Sequence, residues 1–208
     1  MGALLELAIC PPRSQILSEL KELYVAREGL IEDRTAAKNR AKQIALSVLK
    51  RQNQQRIERI ERRIQSVETE IETRPNADPT LERRLQILTG IPGISRIAAF
   101  ALLIEMPELG ALDAKKAASL AGLAPAARQS GHWTGRASIA GGRANVRQAL
   151  YMPALVAARF NEDLKALYDR LKAKGKPAKV ALTALMRKLV VLANALLKAN
   201  RKWAPKCA

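Results

Sequence analysis

The sequence predicts an all-α protein: a long coiled-coil helical element, then a compact helical domain with a helix-hairpin-helix and a Gly/Arg-rich loop. Three observations carry this. Alanine and leucine are abundant, as in helical proteins. Apolar residues recur at alternating spacings of four and three along the first third. Proline and glycine fall mostly between the periodic runs, where they punctuate rather than interrupt. At 208 residues the chain fits one domain, or one domain plus an extended appendage.

Lys and Arg number 36 against 19 Asp and Glu, a net charge of +17, which favours a polyanionic partner such as nucleic acid or an acidic membrane surface. Aromatics are only 3%, so a stacking platform for single strands is not the dominant feature. Cys10 and Cys207 match no metal spacing and suit a reducing cytosol. The longest uncharged apolar stretches, such as residues 148–158, fall short of the roughly 18–20 a membrane span needs. The opening MGALLELAICPP lacks a basic flank and carries Glu6, unlike a signal peptide. The expectation is a cytoplasmic, nucleoid-associated protein without a membrane partner.

Residues 1–12 read as a leader, ended by Pro11 and Pro12. The element at 13–80 follows. Its first seam is Ile16, Leu20, Leu23, Arg27, Leu30, Arg34, Ala37, Ala41, Ile44 and Val48, with the two arginines as polar intruders. A second seam runs through Ile57, Ile60, Ile64, Val67 and Ile71, out of phase by one residue across RQNQQR. A continuous helix with a phase slip and a helical hairpin both fit, as does a surface helix packed on its own domain. The seam's length favours a homo-oligomer. Pro75 and Pro79 end the element.

Residues 81–208 form the compact domain. LERRLQILTGIPGISRIAAFALLIEM, residues 81–106, reads as helix, tight turn, helix. It looks like a helix-hairpin-helix (81–105) in which Gly93 permits close backbone approach and the N–H groups at the next helix start face a phosphate. Gly93, Ile94, Ser95 and Arg96 are the candidate DNA contacts, with Ser95 as cap and Arg96 adding charge. Ser95 stands where a second glycine is commoner. A plain helical hairpin is the alternative.

Asp113 is the expected N-cap of a short helix at 114–121, and Gly122 its stop. From there no Asp or Glu occurs until Glu162, while Arg128, Arg136, Arg143 and Arg147 do, with Arg143 and Arg147 one helical turn apart. A long one-sign segment rich in glycine suggests a phosphate-facing surface. Within it Ser130 has three readings. It fits an ordinary loop serine. It does not fit a Ser-His-Asp hydrolase, because His132 is the only histidine, no acid is local and no G-x-S-x-G elbow exists. It fits a nucleophile on phosphorus, with arginines stabilising the pentacovalent transition state. Ser138 is the weaker candidate. His132 suits a phosphate or water contact, and Trp133 suits packing or base stacking equally.

The chain closes with two helices broken at Gly175-Lys176-Pro177. Leu182, Leu185, Met186, Leu189, Val190, Ala193 and Leu196 make a wide buried stripe, and RKWAPKCA is a frayed tail.

RQSGHWTGRASIAGGRANVRQALYMPALVA, preceded by LTGIPGISRIAAFALLIEMPELG and followed by GKPAKVALTALMRKLVVLANALL, resembles the carboxy-terminal domain of bacterial insertion-sequence transposases, the bridge-RNA-guided DEDD-type serine recombinases. The resemblance is dense from Leu81 to about Trp203 and looser over the coiled-coil segment. It implies a DNA transposase in which Ser130, the serine of the "SG" pair, attacks a phosphodiester and forms a transient phosphoserine link. It implies DNA and a guide RNA as partners. In that family an amino-terminal RuvC-like domain supplies four carboxylates for divalent metal. The twelve leading residues hold one acid, Glu6. The expectation is therefore a connector plus serine domain, with no cofactor or metal site in this chain and Mg2+ expected only with the RuvC-like half. Two readings stay open: a recombinase fragment using Ser130, and a catalytically inactive nucleic-acid-binding module.

Overall fold

The computed structural model describes residues 15–126, 129–130, 133–134 and 138–204, and the chain divides into two compact units, Pro12–Pro79 and Thr80–Ala208. Among the described residues the secondary structure is almost wholly helical, so the all-α expectation holds.

The first unit is a helical hairpin. Helix α1 spans Gln15–Ala41 and α2 spans Ser47–Thr73, followed by a 3-10 turn at Arg74–Ala77. The cross-helix pairs set the sense. Arg74 meets Glu19, Arg27 Nε donates to Glu68 at 2.7 Å, and Lys38 Nζ donates to Glu61 at 3.1 Å. Partner numbers fall on one helix as they rise on the other, so the helices run antiparallel. Ala37, Ile57, Ile60 and Ile64 form a core, with Leu30 and Ile31 packed against it. The second predicted seam thus packs against the first within one chain.

The seam expectation needs one correction. The chain turns at residues 42–46, upstream of RQNQQR, where Gln43 N donates to Arg40 O at 3.0 Å. Ile44 therefore falls in the turn and Val48 sits exposed at the start of α2. Arg27, one of the two polar intruders, is held by Glu28 and Glu68. Asn53 continues the second seam by one step, and its side chain donates to the Ala37 carbonyl at 3.0 Å. A polar seam residue with one acceptor across the interface fixes register.

The second unit contains α3 (Pro79–Thr89, whose first residue closes the hairpin unit), α4 (Arg96–Glu105), α5 (Ala114–Leu120), α6 (Ala144–Phe160), α7 (Glu162–Ala173) and α8 (Ala178–Lys198). Phe100, Leu85, Leu88, Ile91, Leu103 and Leu150 are among its fully buried side chains. The whole predicted stripe of α8, from Leu182 to Leu196, is buried. This helix is long and apolar enough to cross a membrane by length and composition, although Arg187 and Lys188 interrupt its uncharged stretches. Half of its most apolar window is buried against the unit's other helices, as in a core helix.

Helix ends are set by side chains and left-handed residues. Ser95 and Asp113 cap α4 and α5 as expected, accepting from Ala98 N at 3.3 Å and Lys116 N at 2.7 Å. Gly122, at φ 65°, ends α5: its N–H reaches Ser119 O, and Leu123 N reaches Ala118 O, both at 2.8 Å. The loop between α4 and α5 is held by the buried Asn194 of α8, which accepts from Gly110 N and donates to Leu112 O, each at 2.8 Å.

Candidate functional site

The segment between α5 and α6 was expected as a loop, and its described parts pair as two short antiparallel ladders. β1 (Pro125–Ala126) pairs with β4 (Ser138–Ile139), and β2 (Gln129–Ser130) pairs with β3 (Trp133–Thr134). Ser130 lies opposite Trp133 in the outer ladder, with Gly131 and His132 between them in sequence, while Ser138 lies opposite Ala126 in the inner one. Two residues separate the ladders on the outgoing side and three on the return. The two ladders therefore differ by one residue in register. Arg128, Gly131, His132, Gly135 and Arg136 lie outside the described residues.

The base of this ribbon is a backbone-on-backbone contact. Gly122 leads in and Gly142 leads out, each with positive φ; a side chain on Gly142 would overlap the Gly122 backbone, and one on Gly122 would overlap the Gly141 carbonyl and the Arg147 guanidinium. Arg143 N closes the frame on Leu120 O at 2.8 Å. Arg147 reaches across it, donating to Gly141 O at 2.7 Å and toward Ala121 O at 3.4 Å. Its guanidinium therefore ties the outgoing and returning strands together. Arg143 forks onto the Glu108 carboxylate at 2.8 and 2.9 Å and also donates to Glu105 O at 2.6 Å.

These contacts give two of the arginines expected to meet phosphate partners within the protein. Arg143 and Arg147 were paired by their spacing, but the structure engages both with the protein itself, at the ribbon base. Arg96 likewise forks onto Glu82, Nη2 to Oε2 at 2.8 Å, and stands over the Phe100 ring at 5.6 Å. Gly93, at φ 103°, does make a close approach, but to α6: an added Cβ would lie 2.8 Å from Pro153 O and 3.1 Å from Ala157. Ile94 is buried, its N–H donating to Ile91 O at 3.0 Å. The α3–α4 turn thus has the expected helix–turn–helix shape, and its glycine packs it on α6. The reason is electrostatic as well as steric: Glu82 and Glu108 each neutralise an arginine that composition alone counts as free.

Sequence reasoning passed over Glu108 and the Gly122–Gly142 contact. Glu108 lies 35 residues before Arg143, so no local pattern links them. The glycine pair was the findable signal, since two glycines bracketing a loop are what a close backbone crossing requires. Among the described residues no group of three or more His, Cys, Asp or Glu is placed to hold a metal ion.

Comparison with known proteins agrees with this region's distinctiveness. Residues 85–169, from α3 through the ribbon to α7, match the family model described as Transposase IS116/IS110/IS902 family. A pilin gene-inverting protein of Moraxella bovis is 32% identical over 198 residues, covering 92% of this chain and 61% of the relative. The pilin gene-inverting protein of Moraxella lacunata gives the same identity and coverage. An uncharacterized protein of insertion element IS110 from Streptomyces coelicolor is 30% identical over 114 residues, covering 54% of this chain and 28% of the relative. The chain spans 61% of the length of the pilin gene-inverting relatives. Residues 85–169 are therefore similar to the transposase domain of the IS116/IS110/IS902 family.

Proposed function

We propose that the chain acts on DNA in transposition or inversion, with Ser130 as the nucleophile. The observation that supports this best is the ribbon itself. A serine is placed near its outer end, in a segment free of acids from Ala114 to Asn161, and the ribbon base is clamped by Gly122, Gly142 and Arg147. A reacting group needs a rigid support and a positive surround that does not compete for the phosphate.

In the proposed step the Ser130 hydroxyl oxygen bonds to phosphorus, one phosphodiester P–O bond breaks, and that sugar oxygen leaves as a hydroxyl carrying the serine proton. Reversal with a different sugar hydroxyl exchanges strands without hydrolysis. An unassisted serine hydroxyl is a weak nucleophile. The reading therefore expects a metal-bearing RuvC-like domain, Mg2+ and a guide RNA to be supplied from outside the described residues.

The test is a reaction containing that domain, guide RNA, Mg2+ and target DNA, scored for a denaturant-resistant protein–DNA adduct. Ser130→Ala is expected to abolish the adduct while leaving DNA affinity nearly unchanged, since one hydroxyl adds little to a many-phosphate interface. Ser138→Ala is expected to keep it. An adduct that survives Ser130→Ala would overturn the assignment. Loss with Ser138→Ala alone would move the chemistry to the inner ladder.

A further inference from the structure

The hairpin of α1 and α2 is nearly neutral as a whole, yet its charge is sharply divided along its length. A cut between Asp33 and Arg34 on α1 meets α2 between Arg63 and Ile64, because Asp33 and Arg63 line the same shallow groove. The half beyond that cut, residues 34–63 around the turn, holds ten Lys or Arg and two Glu. The other half, residues 15–33 and 64–78, holds three bases and nine acids. We propose that the basic half of the hairpin is a second nucleic-acid-binding surface, one that tracks the phosphodiester backbone and is separate from the ribbon.

Three features support it. First, the bases of this half are largely left over. Lys38 pairs with Glu61, and Glu58 is occupied by the Gln54 side chain at 3.0 Å. Lys50, Arg51, Arg56, Arg59, Arg62 and Arg63 are all exposed, and among the described residues none has a carboxylate within ion-pair distance.

Second, their arrangement is directional. One groove of about 400 Å³, lined also by Ile60 and by Asp33 of α1, collects Gln52, Gln55, Arg56, Arg59 and Arg63 of α2. At 100° per residue they occupy an arc of roughly 100°, beside the isoleucine seam rather than on it. Arg56 to Arg63 spans about 10 Å at 1.5 Å per residue. That is the axial rise of roughly three phosphates on one strand of a duplex. The interleaved glutamines add neutral donors suited to phosphate and sugar oxygens.

Third, the arrangement is unfavourable unless something answers it. Arg56, Arg59 and Arg63 are neighbours at spacings of three and four, where like charges repel. A polyanion turns that repulsion into binding by releasing counterions.

The acidic half of a second copy is the competing occupant. It is the poorer fit, because Glu19 and Glu70 are engaged by Arg74, and Glu28 and Glu68 by Arg27, within the same hairpin.

The experiment uses the full chain and the triple variant Arg56→Gln, Arg59→Gln, Arg63→Gln, whose side chains are exposed and whose melting temperature is checked first. A control of equal charge change replaces the exposed Lys172, Lys174 and Lys176 with Gln. Affinity is measured against a mixed-sequence duplex DNA and, separately, a stem-loop RNA, between about 50 and 200 mM salt. The hairpin variant is expected to lose roughly tenfold or more in affinity for at least one of the two. Its log–log salt slope should fall by up to about 0.9 for each arginine on duplex DNA. The control should lose clearly less. Whichever polymer shows the loss is the one the hairpin binds. Equal losses in both variants would overturn the proposal, since net charge and not this surface would be responsible. So would unchanged affinity for both polymers accompanied by weaker self-association in sedimentation, which would assign the surface to a second copy. Neither result bears on Ser130, whose test reads a covalent adduct.

Discussion

Glu82 and Arg96 show how much of the basic character is local. The Arg96 guanidinium hydrogen-bonds the Glu82 carboxylate and holds its pKa below the ordinary value of 4.5. A carboxylate with a lowered folded-state pKa stabilises the fold above its unfolded value, and loses that contribution as pH falls through the lowered one. The pair is thus fully effective at neutral pH and weakens only below the ordinary carboxylate range. Glu82→Gln should lower the melting temperature at pH 7, and the gap to the parent should close as the solution is acidified past that range. A gap of equal size at both ends would mean that the charge of Glu82 is not what matters. The residue scale is also where sequence reading was weakest. Arg96, Arg143 and Arg147 were legible as positive charges, but their partners Glu82, Glu108 and the Gly141 carbonyl are brought to them by folding alone.

Elements were more legible, for a physical reason. The α8 stripe and the second seam repeat at helical period, and periodic apolar residues have one satisfactory way to be buried. The caps Ser95 and Asp113 and the stop at Gly122 were legible because capping is a contact within three residues. The turn at 42–46 was not, because KQIAL contains neither Gly nor Pro. The ribbon escaped because its described strands are two residues long, too short for alternation to register. One glycine of the hairpin has no such role. Gly29 sits inside α1 with nothing within 4 Å of where a Cβ would go. Gly29→Ala should therefore stabilise the hairpin by about 0.5–1 kcal/mol, from helix propensity and a less flexible unfolded chain. Denaturant unfolding measures this, and a destabilised variant would show that the position faces a partner.

At the scale of the whole molecule, the two units have separate cores, and the seam residues supply that of the hairpin. Ile60 and Ile64 are 7% and 5% exposed within a single chain, packed with Ala37 and Ile57. The same residues, read as a sequence, invited a dimer seam. A hairpin of this size has little core to spare. An aspartate in place of a buried isoleucine loses the apolar burial and strands a charge, costing on the order of 3–5 kcal/mol. Ile64→Asp should therefore melt α1 and α2 while leaving the Thr80–Ala208 unit folded, because Leu85, Phe100, Leu150 and Leu189 supply that unit's own core. Circular dichroism should show a loss of helix at low temperature, followed by one remaining cooperative transition. Limited proteolysis should then cut first within residues 15–78. If the variant instead kept its full helicity and changed only its sedimentation, the isoleucines would be serving a contact between copies. If both units melted together, the hairpin would be part of one cooperative fold, and its basic half could not be treated as a separate surface.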